Sequence, residues 1–400
     1  MEILAPAGSI EKFKYAICYG ADAVYVGGKA FSLRAQATNL NNAELKEAVK
    51  FAHSHQKKIY VTLNVYAHNA DYVALTDFID FLASISIDAV IVSDPGVFQL
   101  VKKQAPSLDI HISTQANVVS SQSAKFWYSL GAKRIILARE LSLEEIAEIK
   151  YQNPGLELEM FVHGAMCMAY SGRCLLSSFL NDRDANAGLC SQPCRWKYHL
   201  FEETRPGNYF PITEDENGTY ILNSKDLCLI NRLHDLEKIG IDSIKIEGRM
   251  KSVYYVANVT RAYNYVSKDP NNKELVDYFR KELDKISHRV YTEGFVDKFD
   301  SVDTQYHTSS AYLREYQYLG NIISKRDNSV EIAVKSKFEL GDLIDFIFPD
   351  YRKDFQMKID KIINEQGQEI LFSKPNTSVF LEVSKTISEY GIIRKKINND

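Results

Sequence analysis

The chain has 400 residues, 45% of them hydrophobic and 25% charged, with a formal net charge of −4. This balance excludes a disordered chain and a globally basic nucleic-acid binder, so any phosphate-binding surface must be local. No apolar run reaches about 18 residues, and the opening MEILAPAGSIEKF lacks the basic-then-apolar order of a signal peptide. The expectation is a cytoplasmic protein with no membrane span.

One phrase recurs along the first two thirds. It is YGADAVYVGG at 19–28, SISIDAVIVSD at 84–94, SLGAKRIILAR at 129–139 and KIGIDSIKIEGR at 238–249. Each leaves a helix, passes a small residue and enters a short Val/Ile run. Such runs read as strands buried on both faces, as in parallel sheets. The strands predicted in chain order are Ile3–Pro6, Val24–Gly27, Ile59–Leu63, Ala89–Ser93, Ile110–Ser113, Ile135–Ala138, Leu158–His163 and Ser243–Glu247. Helical faces lie between them. Leu45, Ala48, Val49 and Ala52 keep a helical period, as do Leu75, Phe78, Ile79 and Leu82. Ser142 and Glu145 form a capping box, with Leu141 and Ile146 placed as its staple. Eight β/α units imply a TIM-like (β/α)8 barrel over residues 1–268. A doubly wound sheet is the alternative, but no G-x-G-x-x-G follows the first strand.

A barrel puts its active site at the C-terminal ends of its strands. The polar residues there are Gly27, Gly28, Asn64, Ser93, Asp94, Ser113, Thr114, Gln115, Arg139, Glu140, His163, Lys245, Glu247 and Arg249. The bland reading is that several of them cap helices or pair in loops.

The seventh unit is abnormally long. Residues 164–240 form a Cys-rich insertion after strand seven, with a hairpin-like DENG turn. Residues 269–315 read as a helical connector, with a helix at Asn272–Ser287. Residues 316–400 alternate as short strands and suggest a small C-terminal β-barrel domain.

The insertion holds Cys167, Cys174, Cys190 and Cys194, spaced C-x6-C-x15-C-x3-C. Four thiolates can complete a [4Fe–4S] cluster or a tetrahedral zinc site, and the spacing leaves both open. Cys18 and Cys228 stand apart and read as packed small hydrophobes.

The stretch EMFVHGAMCMAYSGRCLLS, Glu159 to Ser177, resembles the signature of the peptidase U32 family. Its fixed positions are Glu159, Phe161, Gly164, Ala165, Met166, Cys167, Gly172, Cys174, Leu176 and Ser177. NSKDL (223–227), KIEGRMKS (245–252) and SHRVYTEGF (287–295) resemble it further, so the likeness spans essentially the whole chain. LNDRDANAGLCSQPCRW (180–196) and the C-terminal β domain are most similar to the branch that installs 5-hydroxyuridine at the tRNA wobble position.

That resemblance implies hydroxylation of the wobble uridine in the tRNA anticodon loop, with prephenate as hydroxyl source. It implies an iron–sulfur cluster on Cys167, Cys174, Cys190 and Cys194. An electron donor or partner protein is a further expectation. Prephenate is a dicarboxylate, so cations are expected to bind it: Lys245, Arg249 and Lys251, with Arg139 and Arg173 behind them and Asn64 beside them. Glu247 and His163 are the candidate acid–base groups, with Arg249 as anion binder. Tyr66, Tyr170, Phe179 and Trp196 are candidates for stacking a splayed base. Arg183, Arg195 and Lys197, or Arg394, Lys395 and Lys396, are candidates for phosphate.

Two alternatives belong to other classes. A U32-type peptidase needs a Cys–His pair, for which His163 and Cys167 are the nearest candidates, and neither H-E-x-x-H nor G-x-S-x-G is present. A non-catalytic scaffold would use a zinc knuckle to bind RNA or protein.

Overall fold

The computed structural model describes residues 1–29, 31–32, 39–167, 169–185, 189–195, 213–215, 218–220, 225–297, 312–326 and 329–397. Eight strands close into a parallel barrel. They are β1 (Glu2–Ala7), β2 (Ala23–Gly27), β3 (Lys58–Leu63), β4 (Ala89–Val92), β5 (Asp109–Ile112), β6 (Arg134–Ile136), β7 (Glu157–Ala165) and, later in the chain, β11 (Ser243–Ile246). Each pairs with its neighbour, and β11 closes the ring by pairing with both β7 and β1. Strand β2 is buried at every position, because helices cover its outer face and the barrel interior its other face. All eight predicted strands are present. The fold is a TIM-like barrel.

The outer helices are α1 (Ile10–Cys18), α2 (Asn42–Ser54), α3 (Tyr72–Ser84), α4 (Pro95–Gln104), α5 (Ser121–Ser129) and α6 (Leu143–Gln152). Each predicted apolar stripe faces the strands: Leu45, Ala48, Val49 and Ala52 on α2 are buried. The Ser142–Glu145 capping box is formed. Asp94 accepts from the amides of Gly96 and Val97 and caps α4, so this strand-end carboxylate is structural. Among the described residues no helix is long and apolar enough to cross a membrane.

The insertion contributes α7 (Leu176–Asn181), a hairpin of β8 (Thr213–Asp215) and β9 (Gly218–Tyr220), then β10 (Asp226–Cys228) and α8 (Leu233–Ile239). Strand β10 runs antiparallel beside the end of β7 and carries β12 (Tyr291–Thr292) on its outer edge. Strand β7 therefore splits its partners, β11 first and β10 last. Gly164 sits at that fork with φ of +107°, and a Cβ there would lie 2.6 Å from the Glu247 carbonyl oxygen.

After β11 come α9 (Val253–Val266) and α10 (Lys273–Asp284). The C-terminal domain is one antiparallel sheet of β13 (Tyr316–Arg326), β14 (Ser329–Val334), β15 (Leu343–Ile347), β16 (Phe355–Lys358), β17 (Ile363–Asn364), β18 (Ser378–Glu382) and β19 (Ile392–Lys396). Its order is β16-β15-β19-β13-β14-β18-β17, curled around a core that includes Leu319, Ile332, Phe338, Phe346 and Ile393.

A buried ionic joint fastens this sheet to the barrel. Arg261 on α9 pairs with Asp354 at 2.7 Å and with Glu282 of α10 at 3.4 Å. Arg394 pairs with the same Glu282 at 2.9 Å and with Asp345 at 3.0 Å. Helix α9 is buried along most of its length because it lies between the two domains. This corrects the phosphate-binding expectation for Arg394 and Lys395. Arg394 is 3% exposed and spent on the joint, and Lys395 pairs with Asp342 at 2.8 Å.

Candidate functional site

The C-terminal mouth of the barrel holds a cavity of about 170 Å³. Inward-facing residues make its apolar floor: Tyr25 of β2, Ile91 of β4, Ile136 of β6 and Phe161 of β7. One pleat higher the strands end in polar groups, Thr62 on β3 and Asn64 just after it, and Ser113 and Gln115 after β5. The Asn64 amide donates to Gln115 Oε1 at 2.7 Å and Ser93 Oγ donates to the same oxygen at 3.2 Å. Ser93 thus supports the wall from behind.

The cysteine loop crosses the mouth. Cys167, Cys174 and Cys190 all line the cavity. Arg139, half-buried after β6, straps the loop: Nη1 donates to the Ala165 carbonyl and Nη2 to Ser171 Oγ, both at 2.9 Å. Its guanidinium lies over the Phe161 ring at 5.5 Å, and its Nε is buried without a hydrogen-bond partner. Burial opposes the charge of Arg139, but Cys167 beside it, with Glu140 and Glu247, holds the guanidinium above its ordinary range. From the neighbouring strand end, after β5, Asn117 Nδ2 donates to the Ser171 carbonyl at 3.1 Å.

Arg249 reaches the cavity across Gly27. Its Nη1 donates to Ser32 Oγ at 2.6 Å and Thr62 Oγ1 at 3.2 Å. A Cβ at Gly27 would collide with that guanidinium, which gives this glycine a packing reason. Glu247 lines the cavity and accepts from the Tyr25 hydroxyl at 3.0 Å.

Three candidates sit differently from expectation. Lys245 lines the cavity, but its ammonium points down to Glu159 at 3.1 Å and lies over the Tyr25 ring at 4.4 Å. Burial pulls its pKa down, and Glu159 offsets this only in part. His163 is outside the cavity. The β7–β11 register slips between Lys245 and Ile246, and this bulge turns His163 out among Tyr255, Tyr263 and Tyr291. Buried there, it is held well below the ordinary histidine range, and its Nε2 has no hydrogen-bond partner. Lys251 is also outside, with its ammonium over the Tyr255 and Tyr312 rings.

Of the aromatic candidates, Tyr170 lines the cavity, Tyr66 donates to the Gln115 carbonyl at 3.0 Å, and Phe179 is exposed on α7. Trp196 and Lys197 lie outside the described residues. Tyr25 and Thr62 were not singled out from the sequence, and Phe161 only as a signature position, not as a cavity residue. Their alternation along the strands marks them as inward-facing and could have found them.

None of the six cysteines is in a disulfide. Cys194 lies on the short turn Pro193–Arg195, outside the cavity lining. Among the described residues no three His, Cys, Asp or Glu side chains form a ready metal site. Thiolates are the donors that an iron–sulfur cluster or zinc requires. Cys167, Cys174 and Cys190 line one cavity with Cys194 four residues beyond Cys190, although they are not gathered into one ligand shell. Cys18 and Cys228 differ, because burial pushes each thiol up to about 11.

The family model for peptidase family U32 matches residues 8–306, and that for the U32 C-terminal domain matches residues 314–394. The chain belongs to peptidase family U32. Its U32 relatives carry unlike names. It is 37% identical to tRNA hydroxylation protein P of Haemophilus influenzae, over all of this chain and 96% of that one. It is 40% identical to an uncharacterized protease of Methanocaldococcus jannaschii, over 86% of each chain. It is 36% identical to the 23S rRNA 5-hydroxycytidine C2501 synthase of Escherichia coli, over 74% of this chain and 45% of that one.

Proposed function

We propose that this U32 protein hydroxylates tRNA, converting the wobble uridine of the anticodon loop to 5-hydroxyuridine. The single observation that carries this reading is full-length similarity to a tRNA hydroxylation protein. The named RNA hydroxylase among the relatives supports the same chemistry on a different RNA. The barrel mouth suits it. An anticodon loop is single-stranded, so one base can be splayed out and enter a small cavity with an apolar floor. Replacing C5–H by C5–OH is a two-electron oxidation; it balances if the proposed donor, prephenate, gives up its hydroxyl and takes the two electrons, its C–OH becoming C–H. Arg139 and Arg249 at the cavity would take its carboxylates, and Glu247 would hold or move a proton.

Cys167, Cys174, Cys190 and Cys194 would hold a [4Fe–4S] cluster, with zinc as the other group that four thiolates accept. Bound there, the cluster would supply electron transfer beside the cavity. The chain's own part is to hold the cysteine loop over the mouth through Arg139 and Asn117. The peptidase reading has less support, because His163 is turned away from Cys167 and outside the cavity, so the pair does not face a common substrate.

The test is nucleoside mass spectrometry of tRNA from the host lacking this gene. Loss of 5-hydroxyuridine derivatives, restored by the wild-type gene, is the expected result. Unchanged nucleosides in the deletion strain would overturn it. Anaerobic purification tests the cofactor. A brown protein containing iron and sulfide is expected, and a colourless one with stoichiometric zinc would refute the cluster.

A further inference from the structure

Away from the barrel mouth, a groove of about 680 Å³ opens where α10 meets the start of β13 and the end of β19. Lys281 and Lys285 border it from α10, Arg314 from the segment before β13, and Lys396 from the end of β19. Lys281, Arg314 and Lys396 are exposed. Two acids lie on the groove, Asp284 and Glu315; Asp284 is engaged by Arg280 at 2.5 Å and Lys285 by Glu282 at 2.6 Å, which leaves Lys281, Arg314 and Lys396 facing Glu315. The local balance is therefore positive on a chain of net charge −4.

Aromatic rings interleave these cations. Tyr316 lines the groove, with the Lys285 ammonium 5.3 Å from its ring centre. Tyr312 is 40% exposed and lies under the Lys251 ammonium at 4.4 Å. Lys251 stands two residues beyond Arg249, which lines the barrel cavity. A strip of cations and tyrosines thus runs from the mouth, through Lys251, Tyr312 and Arg314, into the groove.

We propose that this groove holds the phosphate backbone of the RNA whose base enters the barrel mouth. The proposal rests on the tRNA reading above and names the surface that reading requires. Exposed lysines and arginines neutralise phosphates and fix register, and the tyrosines between them seat the cations of the strip, Lys251 and Arg289 over Tyr312 and Lys285 and Arg394 over Tyr316. The strip leads back through Lys251 to Arg249 at the barrel mouth, which favours the RNA entering that mouth over an acidic protein. The buried joint of Arg261, Arg394 and Glu282 holds the C-terminal sheet against α10, so both walls of the groove stay in place. The C-terminal domain thereby serves as the part that grips RNA outside the reaction chamber.

The test titrates unmodified tRNA with full-length protein across a range of salt concentrations. It uses the wild type, a Lys281→Glu, Arg314→Glu, Lys396→Glu triple variant, and the milder triple with Gln at the same positions. The wild type should bind with a steep salt dependence. The Glu triple should bind at least about tenfold more weakly, with a log–log salt slope shallower by about two to three, and the Gln triple should fall between. Equal affinity and equal slope in all three proteins would overturn the groove. A wild type that binds no tRNA at all would instead overturn the reading on which the groove rests.

Discussion

The barrel has two charged ends, and they use their charges differently. At the floor every major charge is answered by an opposite one. Arg134 meets Glu2 at 2.5 Å, Glu157 at 2.9 Å and Glu159 at 3.0 Å, and Lys245 meets Glu159 at 3.1 Å. The Tyr60 hydroxyl adds a bond to Glu2 at 2.8 Å. At the mouth Arg139 donates to a backbone carbonyl and a serine hydroxyl, and its opposite charges, Cys167, Glu140 and Glu247, act on it from around the cavity loop. The floor is a closed network that closes the barrel. The mouth instead gathers its charged and thiol groups around an open cavity. Glu159 belongs to the floor although it is one of the positions of the U32 signature, so a signature residue need not touch substrate.

The largest effect should come from breaking the floor. Glu159→Gln leaves Lys245 buried without its counter-charge and Arg134 short of one. A loss of about 3–5 kcal/mol of unfolding free energy is expected, read from the urea midpoint at constant slope. A loss below about 1 kcal/mol would mean that water or neighbouring acids replace Glu159, and the contrast between the ends would blur. Next comes the mouth. Arg139→Ala should lower tRNA modification at least about 100-fold while costing less than about 1.5 kcal/mol of stability, because its partners are loop groups that water can satisfy. Comparable losses in activity and stability would make Arg139 a second floor residue.

The smallest effect is a pH dependence. His111 at the floor and His163 behind the mouth are fully buried and held well below the ordinary histidine range, by burial first and by neighbouring cations second. Each stays neutral in the folded chain and protonates in the unfolded one. The unfolded state then binds more protons below about pH 6.5, so stability falls as pH drops through that value, by about 1.4 kcal/mol per pH unit for each histidine. Urea melts at several pH values should show this slope, and His111→Gln should roughly halve it. A slope that His111→Gln leaves unchanged would assign the effect to other groups.

Much of the fold was legible because a strand buried on both faces has an unmistakable apolar run, and eight such runs leave few architectures. The mouth was partly legible for the same reason: strand ends are countable, and Asn64, Gln115, Arg139, Glu247 and Arg249 all reach the cavity. The departures have local causes. His163 was lost to a one-residue bulge in the β7–β11 pairing. Lys245 looks like Arg249 in sequence, but an ammonium one pleat lower meets Glu159 instead of the cavity. Arg394 sits in a basic run, Arg394-Lys395-Lys396, that reads as solvent-facing. Only the docking of β19 against α10 shows that its first member is interior. Such long-range pairings leave no mark in local sequence pattern.

The most direct test of the account compares tRNA from the deletion strain after complementation by wild type, Cys167→Ala and Arg139→Ala, at matched protein abundance. The wild type should restore 5-hydroxyuridine derivatives, and both mouth variants should fail to. Full restoration by either variant would contradict the assignment of the barrel mouth as the place where the base is modified.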